Sequence, residues 1–202
     1  MKKIMLLVAL MATTFSVKAQ QEVGTFALKP MVGMTIANVT DLENNSSRIG
    51  LAAGVEAEYR ATPLIGVTAG VLYSMQGSTF DDVNIMGTGW KDASYQMDYI
   101  NIPILANFYV WKGLALKVGI QPGFNVRAKY KATIFDPNEE IEMNEDIEGV
   151  KSFDFSIPVG LSYEFSDFVV DARYNWGLTK VADGSDSKNS VFMISLGYKF
   201  GI

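Results

Sequence analysis

The segment Ile49-Gly50-Leu51-Ala52-Ala53-Gly54-Val55-Glu56-Ala57-Glu58-Tyr59-Arg60 decides the fold of this chain. Its odd-numbered residues are apolar or aromatic, whereas the even-numbered positions hold small residues and the charged side chains Glu56, Glu58 and Arg60. Successive side chains of a β-strand point to opposite faces, so this period of two predicts a strand that separates an apolar environment from a polar one. One strand of a soluble two-sheet core could show the same pattern, so the interpretation depends on its repetition.

Further segments along the chain repeat the alternation. They are 26–36, 65–74, 100–110, 114–127, 154–165, 168–178 and 192–200. A tilted transmembrane strand needs about 9–11 residues, which matches the length of these segments. An even number of antiparallel strands can close on itself and leave no edge. The sequence therefore predicts an all-β fold, an eight-stranded antiparallel up-and-down transmembrane β-barrel.

The connections between the segments alternate between short and long. The short turns are 61–63, 111–113 and 166–167. The longer polar stretches are 38–47, 77–93, 131–151 and 179–189. In outer-membrane barrels the short turns face the periplasm and the long loops face the outside, whereas a soluble sandwich has no reason to sort its connections in this way. The predicted barrel therefore has short periplasmic turns and long extracellular loops.

The charged residues share the polar face of the predicted strands. A Lys or Arg that faces lipid at the bilayer midplane would cost about 2–4 kcal/mol, so this face is expected to line the barrel interior. The predicted interior network is Lys29, Arg48, Glu56, Glu58, Arg60, Lys117, Arg127, Asp154, Glu164, Asp171 and Arg173. Eight strands leave little bore, which favours an interior filled by paired side chains over an aqueous pore. A secreted lipocalin-like barrel is the competing fold, but it would keep its apolar face inside.

Composition and the N-terminus limit the function. The 202 residues carry a formal net charge of −5, which does not suggest a nucleic-acid partner, and they contain no histidine and no cysteine. Thiol and imidazole chemistry is therefore absent, and Asp81-Asp82, the obvious carboxylate pair, is more typical of a solvated turn than of catalysis. We expect no enzyme activity, no cofactor and no metal centre. Lys2 and Lys3 precede a short apolar stretch, which predicts a signal peptide at 1–19 and an exported barrel domain at 20–202.

Several strands resemble those of the PorT-like outer-membrane β-barrel family of Bacteroidetes. The motifs that carry the resemblance are Tyr99-Ile100-Asn101-Ile102-Pro103-Ile104-Leu105, Gly119-Ile120-Gln121-Pro122-Gly123-Phe124, 154–161, 173–178 and the ending Leu196-Gly197-Tyr198-Lys199-Phe200. The ending is similar to the C-terminal strand that the barrel-insertion machinery reads. The resemblance implies the architecture and an outer-membrane location, and it supplies no catalytic residues. One branch of the family assists protein secretion.

Two features of the long loops could bind something. The third long loop holds the acidic residues Asp136, Glu139, Glu140, Glu142, Glu145 and Asp146. Clustered carboxylates suit calcium, or a divalent bridge to lipopolysaccharide, but the EF-hand spacing is missing, and a solvated loop is the simpler interpretation. Trp90 in the second long loop could serve surface recognition or could cap the barrel rim.

The sequence therefore predicts an integral outer-membrane barrel with a structural or surface-interaction role. A narrow channel and a secretion-accessory barrel are the alternatives. The expected partners are outer-membrane lipid and lipopolysaccharide, the insertion machinery during biogenesis, and an envelope or extracellular protein.

Overall fold

The computed structural model describes residues 22–42, 44–85, 88–137 and 139–201, and this part of the chain forms twelve β-strands. The predicted signal peptide at 1–19 lies outside the described residues. The strands are β1 (Phe26–Val39), β2 (Asn45–Arg60), β3 (Ile65–Phe80), β4 (Val83–Ile85), β5 (Thr88–Asn101), β6 (Ile104–Trp111), β7 (Leu114–Phe135), β8 (Glu140–Asp146), β9 (Phe153–Phe165), β10 (Phe168–Lys180), β11 (Lys188–Tyr198) and β12 (Phe200–Gly201).

The strands pair in a closed antiparallel ring. Each barrel strand bonds to its neighbour in sequence, and β1 also pairs with β11 from Met31 opposite Gly197 to Val39 opposite Asn189. We call each strand position in the barrel wall a stave. β5 and β6 together form one stave between β3 and β7, and β11 and β12 together form the last stave beside β1. Eight staves therefore close the barrel, and the predicted eight-stranded up-and-down fold is confirmed.

A proline separates β5 from β6 without opening the wall. Pro103 has no N–H to donate, so a regular ladder cannot continue through it. The neighbouring strands still bond at this point, because Ile102 N donates to Pro122 O at 2.8 Å and Gly70 N donates to Pro103 O at 3.1 Å. The predicted strand 100–110 therefore has a break in its ladder but keeps its place in the ring.

The two faces of the wall differ as the alternation predicts. On β2, Leu51 and Val55 are 59% and 41% exposed, whereas Glu56 and Glu58 on the opposite face are buried. The same contrast runs along β1, β7, β9, β10 and β11. An apolar belt of this extent has no counterpart on a soluble monomer, and a belt around a closed barrel fits the hydrocarbon core of a bilayer. The secreted lipocalin-like alternative is therefore wrong.

Aromatic side chains mark the short-turn end of the belt. Phe165, Phe168, Tyr198 and Phe200 follow one another across β9 to β12, with ring centroids 5.7, 5.2 and 4.7 Å apart. Trp111, beside the turn between β6 and β7, is 74% exposed. Rings with an apolar body and a polar tip prefer the membrane interface, so this end lies at the periplasmic boundary of the bilayer.

The two longest predicted loops are largely strand. The stretches 77–93 and 131–151 were predicted as long polar loops between strands, but β3 continues to Phe80, β7 continues to Phe135, and β4 and β8 form within them. Outside the bilayer a hairpin does not separate lipid from a polar lumen, so the alternation that marks a strand disappears while the backbone ladder persists. We call this outer part, with residues 76–80 of β3, β4, 88–98 of β5, 127–135 of β7 and β8, the projecting sheet.

None of the described residues forms a helix long and apolar enough to cross a membrane.

Val159→Lys tests the lipid-facing assignment. Val159 is at the centre of β9 and is 52% exposed on the apolar belt, so the substitution is expected to lower the free energy of unfolding by about 2–4 kcal/mol. The measurement is urea unfolding in phospholipid vesicles, followed by tryptophan fluorescence and gel mobility. Ile141→Lys, at a position 53% exposed on β8, is the matched control, and we expect a change within about 0.5 kcal/mol. Equal losses in both variants would contradict the assignment.

Candidate functional site

Five charged side chains meet inside the periplasmic half of the barrel, and we call them the central cluster. Lys29 Nζ is 2.7 Å from Glu56 Oε2, and Arg173 Nη1 is 2.8 Å from Glu56 Oε1. Asp171 binds Arg173 Nε at 2.7 Å and Lys117 Nζ at 2.5 Å. All five side chains are almost completely buried. Each carboxylate therefore bridges two cations, which compensates charges that have left water.

The strand register explains how these residues meet. Lys29 and Glu56 are direct cross-strand partners on β1 and β2. Gly160 on β9 lies between Lys117 on β7 and Arg173 on β10. A Cβ at Gly160 would lie 2.3 Å from a carbonyl oxygen of β10 and 2.7 Å from Arg173 Cα, so the close approach of β10 requires glycine here. The position consequently has no side chain between Lys117 and Arg173.

A second group, the periplasmic cluster, closes the short-turn end of the lumen. Lys199 Nζ is 2.5 Å from Glu164 and 3.1 Å from Glu58. The Tyr109 hydroxyl bonds to both carboxylates and is 2.7 Å from Glu164. The Arg60 guanidinium stacks on the Tyr109 ring at 3.2 Å and, within the described residues, makes no hydrogen bond. A cation–π contact therefore replaces the ion pair that the sequence alone would suggest for Arg60.

Apolar and polar side chains share the half of the lumen on the long-loop side. Among the polar ones, Gln76 and Asn101 donate to Ser74 Oγ at 2.8 and 2.7 Å. Met31, Ala52, Leu72 and Met193 form a buried layer above the central cluster. A second layer at the mouth holds Val39, Met97, Tyr99 and Val181. Along β1 the order Lys29, Met31, Val39 places these layers in succession from the periplasmic side outward. Side chains therefore occupy the lumen in each layer that the structure describes.

Three residues of the predicted interior network lie near the long-loop end, away from both clusters. Asp154 accepts a hydrogen bond from Thr179 Oγ1 at 2.8 Å. Arg48 and Arg127 approach the buried Asp98, at 3.9 and 3.5 Å from its carboxylate oxygens. Asp98 also accepts a hydrogen bond from the Tyr73 hydroxyl at 2.6 Å.

The sequence did not predict Asp98 as an interior residue, because it lies outside the segments in which one face is clearly polar. The structure thus divides the eleven predicted residues among two clusters and these separate contacts, and it adds Tyr109, Lys199 and Asp98.

The acidic stretch of the third long loop is spread along a hairpin. Glu140 binds Lys91 at 2.8 Å, and this hydrogen bond raises the pKa of the exposed Lys91 above its usual range. Asp146 is 3.4 Å from Lys129, and Asp136 accepts a hydrogen bond from the Glu139 backbone N–H. The remaining predicted ligands, Glu142 and Glu145, point to opposite faces of β8 because they are an odd number of residues apart. Among the described residues, no group of three or more carboxylates is close enough to hold a metal, so cation binding by this loop stays a prediction.

Three aromatic residues form a row on the projecting sheet, which we call the aromatic row. Phe80 lies 4.9 Å from Tyr95, and Tyr95 lies 5.6 Å from Tyr130, between ring centroids. The row lines a cleft of about 490 Å³ together with Trp90 and Asp81. Sequence reasoning missed the row because its members are far apart in the chain and meet only through the strand register.

Glu56→Gln is expected to destabilise the barrel strongly. The substitution removes the charge that Lys29 and Arg173 share, and breaking a buried ion pair from one side costs about 3–5 kcal/mol. Urea unfolding in vesicles measures the loss. Glu142→Gln on the exposed β8 makes the same chemical change without burial, and a loss for Glu56→Gln no larger than in this control would show that the cluster does not stabilise the fold.

Tyr109→Phe isolates the hydroxyl of the periplasmic cluster. Glu58 and Glu164 lose a shared donor, so we expect a destabilisation of about 1–3 kcal/mol in the same unfolding assay. Tyr163→Phe, on the exposed face of β9, is the control and should leave the unfolding midpoint in place. Indistinguishable midpoints for the two variants would rule out a structural role for the Tyr109 hydroxyl.

Solved structures with the same architecture include bacterial surface proteins. Ail, the attachment invasion locus protein of Yersinia pestis, solved with the heparin analogue sucrose octasulfate, is 16% identical over 89% of this chain and 100% of its own, with a TM-score of 0.50. Neisserial surface protein A is 11% identical over 87% of this chain and 97% of its own, with a TM-score of 0.46. Similarity at these identities concerns the fold alone. No curated protein matches the chain in sequence.

The family comparison agrees with the closed ring and the apolar belt. The model described as "Outer membrane protein beta-barrel domain" matches residues 18–183, which is most of the chain. The protein is therefore an integral outer-membrane β-barrel that belongs to the outer membrane protein beta-barrel domain family.

Proposed function

We propose that this protein is a non-enzymatic surface-interaction barrel, which holds the projecting sheet outside the cell for contact with an extracellular partner. The observation that carries the proposal is the length of β7. This strand has 22 residues, whereas a tilted strand needs about 9–11 to cross the bilayer. The excess is therefore available outside the membrane.

The excess length is ordered as sheet. Residues 129–135 of β7 pair with β8 on one side, and β5 pairs with the same part of β7 on the other. Along β7 the regular alternation of exposed apolar residues ends at Val126, after which Lys129 and Lys131 appear, although Ile134 further out is also exposed. A hydrogen-bonded sheet loses less conformational entropy on binding than an irregular loop, which suits a surface that recognises a partner.

The lumen supports an anchoring role over a channel. The central cluster is ion-paired on every member, and the apolar layers above it include Leu72 and Tyr99, both almost completely buried. An ion moving through this interior would have to displace packed side chains and paired charges. We therefore expect no steady conductance.

The chemistry of the chain supports a non-enzymatic role. The sequence has no histidine and no cysteine, and Asp81-Asp82, the carboxylate pair considered for catalysis, lies in an exposed turn of the projecting sheet. Outer-membrane lipid and lipopolysaccharide surround the belt in this proposal, and the insertion machinery would meet the C-terminal strand. Membership of the PorT-like branch and a secretion-accessory role stay predictions.

Replacing the projecting sheet with tight turns tests the proposal. Thr79 is paired with Ser94, and Lys129 with Asp146, so residues 80–93 and 130–145 can each be replaced by Asn-Gly, which favours a two-residue hairpin turn. We expect the shortened barrel to keep its heat-modifiable gel mobility and to lose attachment of expressing cells to other cells and to protein-coated surfaces.

Planar bilayer recordings of the unaltered protein accompany this test. Absence of steady single-channel currents is the expected result. Unchanged attachment by the shortened barrel, or a steady conductance from the unaltered one, would contradict the proposed function.

A further inference from the structure

The cleft on the projecting sheet has an aromatic floor and a carboxylate wall. Phe80, Tyr95 and Tyr130 are half-buried within it, and Trp90 is 44% exposed at its edge. Tyr95 also lines a smaller apolar cavity of about 180 Å³ at the barrel mouth, so the aromatic row faces the mouth. The cleft is therefore concave and opens to the outside.

Basic side chains are excluded from this face of the sheet. Among the residues that the structure describes, those that line the cleft include no Lys or Arg. Lys129 and Lys131 flank Tyr130 on β7, and because neighbouring residues of a strand point to opposite faces, both lie on the other side of the sheet. Lys91 is held by Glu140 and lies over the Phe135 ring, also on the side opposite Tyr130.

Two carboxylates bracket the aromatic row. Asp81 follows Phe80 directly and lines the cleft. Glu145 on β8 is the cross-strand partner of Tyr130, so the two side chains share one face. Neither carboxylate forms an ion pair with any residue that the structure describes. The negative charge of both is thus available to a ligand.

We infer that this cleft binds an arginine or lysine side chain of a basic polypeptide segment. The electron-rich faces of Phe80, Tyr95 and Tyr130 attract a cation, and Asp81 and Glu145 add direct charge complementarity. The inference deepens the proposed function, on which it rests, because it gives the extracellular partner a chemical class.

Charge around the cleft selects a polypeptide over other ligands. The β7–β8 hairpin beside the aromatic row carries net negative charge, because Glu140 and Asp146 are paired with Lys91 and Lys129 while its other carboxylates outnumber its remaining basic groups. This charge attracts a basic segment to the cleft. A small organic cation would use only the cleft itself. A sulfated polyanion would be repelled by the same surface.

The experiment measures binding of a fluorescein-labelled (Gly-Arg)₈ peptide by fluorescence anisotropy. The full protein is held in an uncharged maltoside detergent, so that no lipid headgroup competes, at an ionic strength of about 0.15 M, where the Debye length is about 8 Å. Two matched pairs of variants distinguish binding of the peptide in the cleft from its non-specific attraction to the negatively charged surface. They are Glu145→Gln with Glu142→Gln, and Tyr130→Leu with Phe135→Leu, in which the second member lies on the opposite face.

We expect Glu145→Gln and Tyr130→Leu each to weaken peptide binding by about threefold to tenfold. The controls Glu142→Gln and Phe135→Leu should stay within about twofold, as exposed changes away from the site. Heat-modifiable gel mobility establishes that every variant is folded. Equal losses within each pair, no binding of the peptide, or displacement of the peptide by tetramethylammonium with no loss in Tyr130→Leu would overturn the inference.

Failure of the inference can be told from failure of the proposed function. If cells with the shortened barrel lose attachment but the unaltered protein does not bind the peptide, the surface role stands and the proposed ligand class is wrong. If attachment survives the shortening, the surface role fails whatever the peptide does. A heparin oligosaccharide that binds with dependence on Tyr130 would also overturn the assignment of a basic partner.

Discussion

The need to satisfy every polar group inside a bilayer governs this structure. Lipid offers no hydrogen-bond partner, so backbone N–H and C=O groups must pair within the wall, and the closure of β1 onto β11 completes that pairing. The same condition forces Lys29, Glu56 and Arg173 inward, where they can only be satisfied by one another. Closure and charge pairing are therefore two results of one constraint.

In a narrow barrel the inward-facing charged side chains must fit into little space. Long cationic side chains need space that eight strands scarcely provide, and Gly160 supplies it between Lys117 and Arg173. Above the charged layer, apolar residues such as Leu72 and Met193 share the lumen with hydrogen-bonded polar residues such as Gln76 and Asn101. The interior thus combines an ion-paired cluster on the periplasmic side with a mixed apolar and hydrogen-bonded region above it.

The sequence predicts which side chains of the membrane-spanning strands face lipid and which face the lumen. It does not predict the strands outside the bilayer or the side chains that meet only through cross-strand register. Glu56 and Glu58 could be placed inward because lipid enforces alternation along β2, and the eight staves follow from the same signal. The strands of the projecting sheet were missed because they do not separate lipid from a polar lumen, so their side chains do not alternate between apolar and polar residues. Leu72 was not foreseen inside because a filled lumen needs apolar volume that a polar-face rule ignores. Phe80, Tyr95 and Tyr130 meet only through cross-strand register, which no local pattern encodes.

The central cluster joins the two ends of the sheet. Its members come from β1, β2, β7 and β10, so Arg173 of β10 cannot bind Glu56 of β2 until the two ends of the sheet are side by side. A sheet whose ends have not met would leave part of this charge uncompensated. The ion pairs of the central cluster therefore stabilise the closed ring over any open arrangement of the same strands.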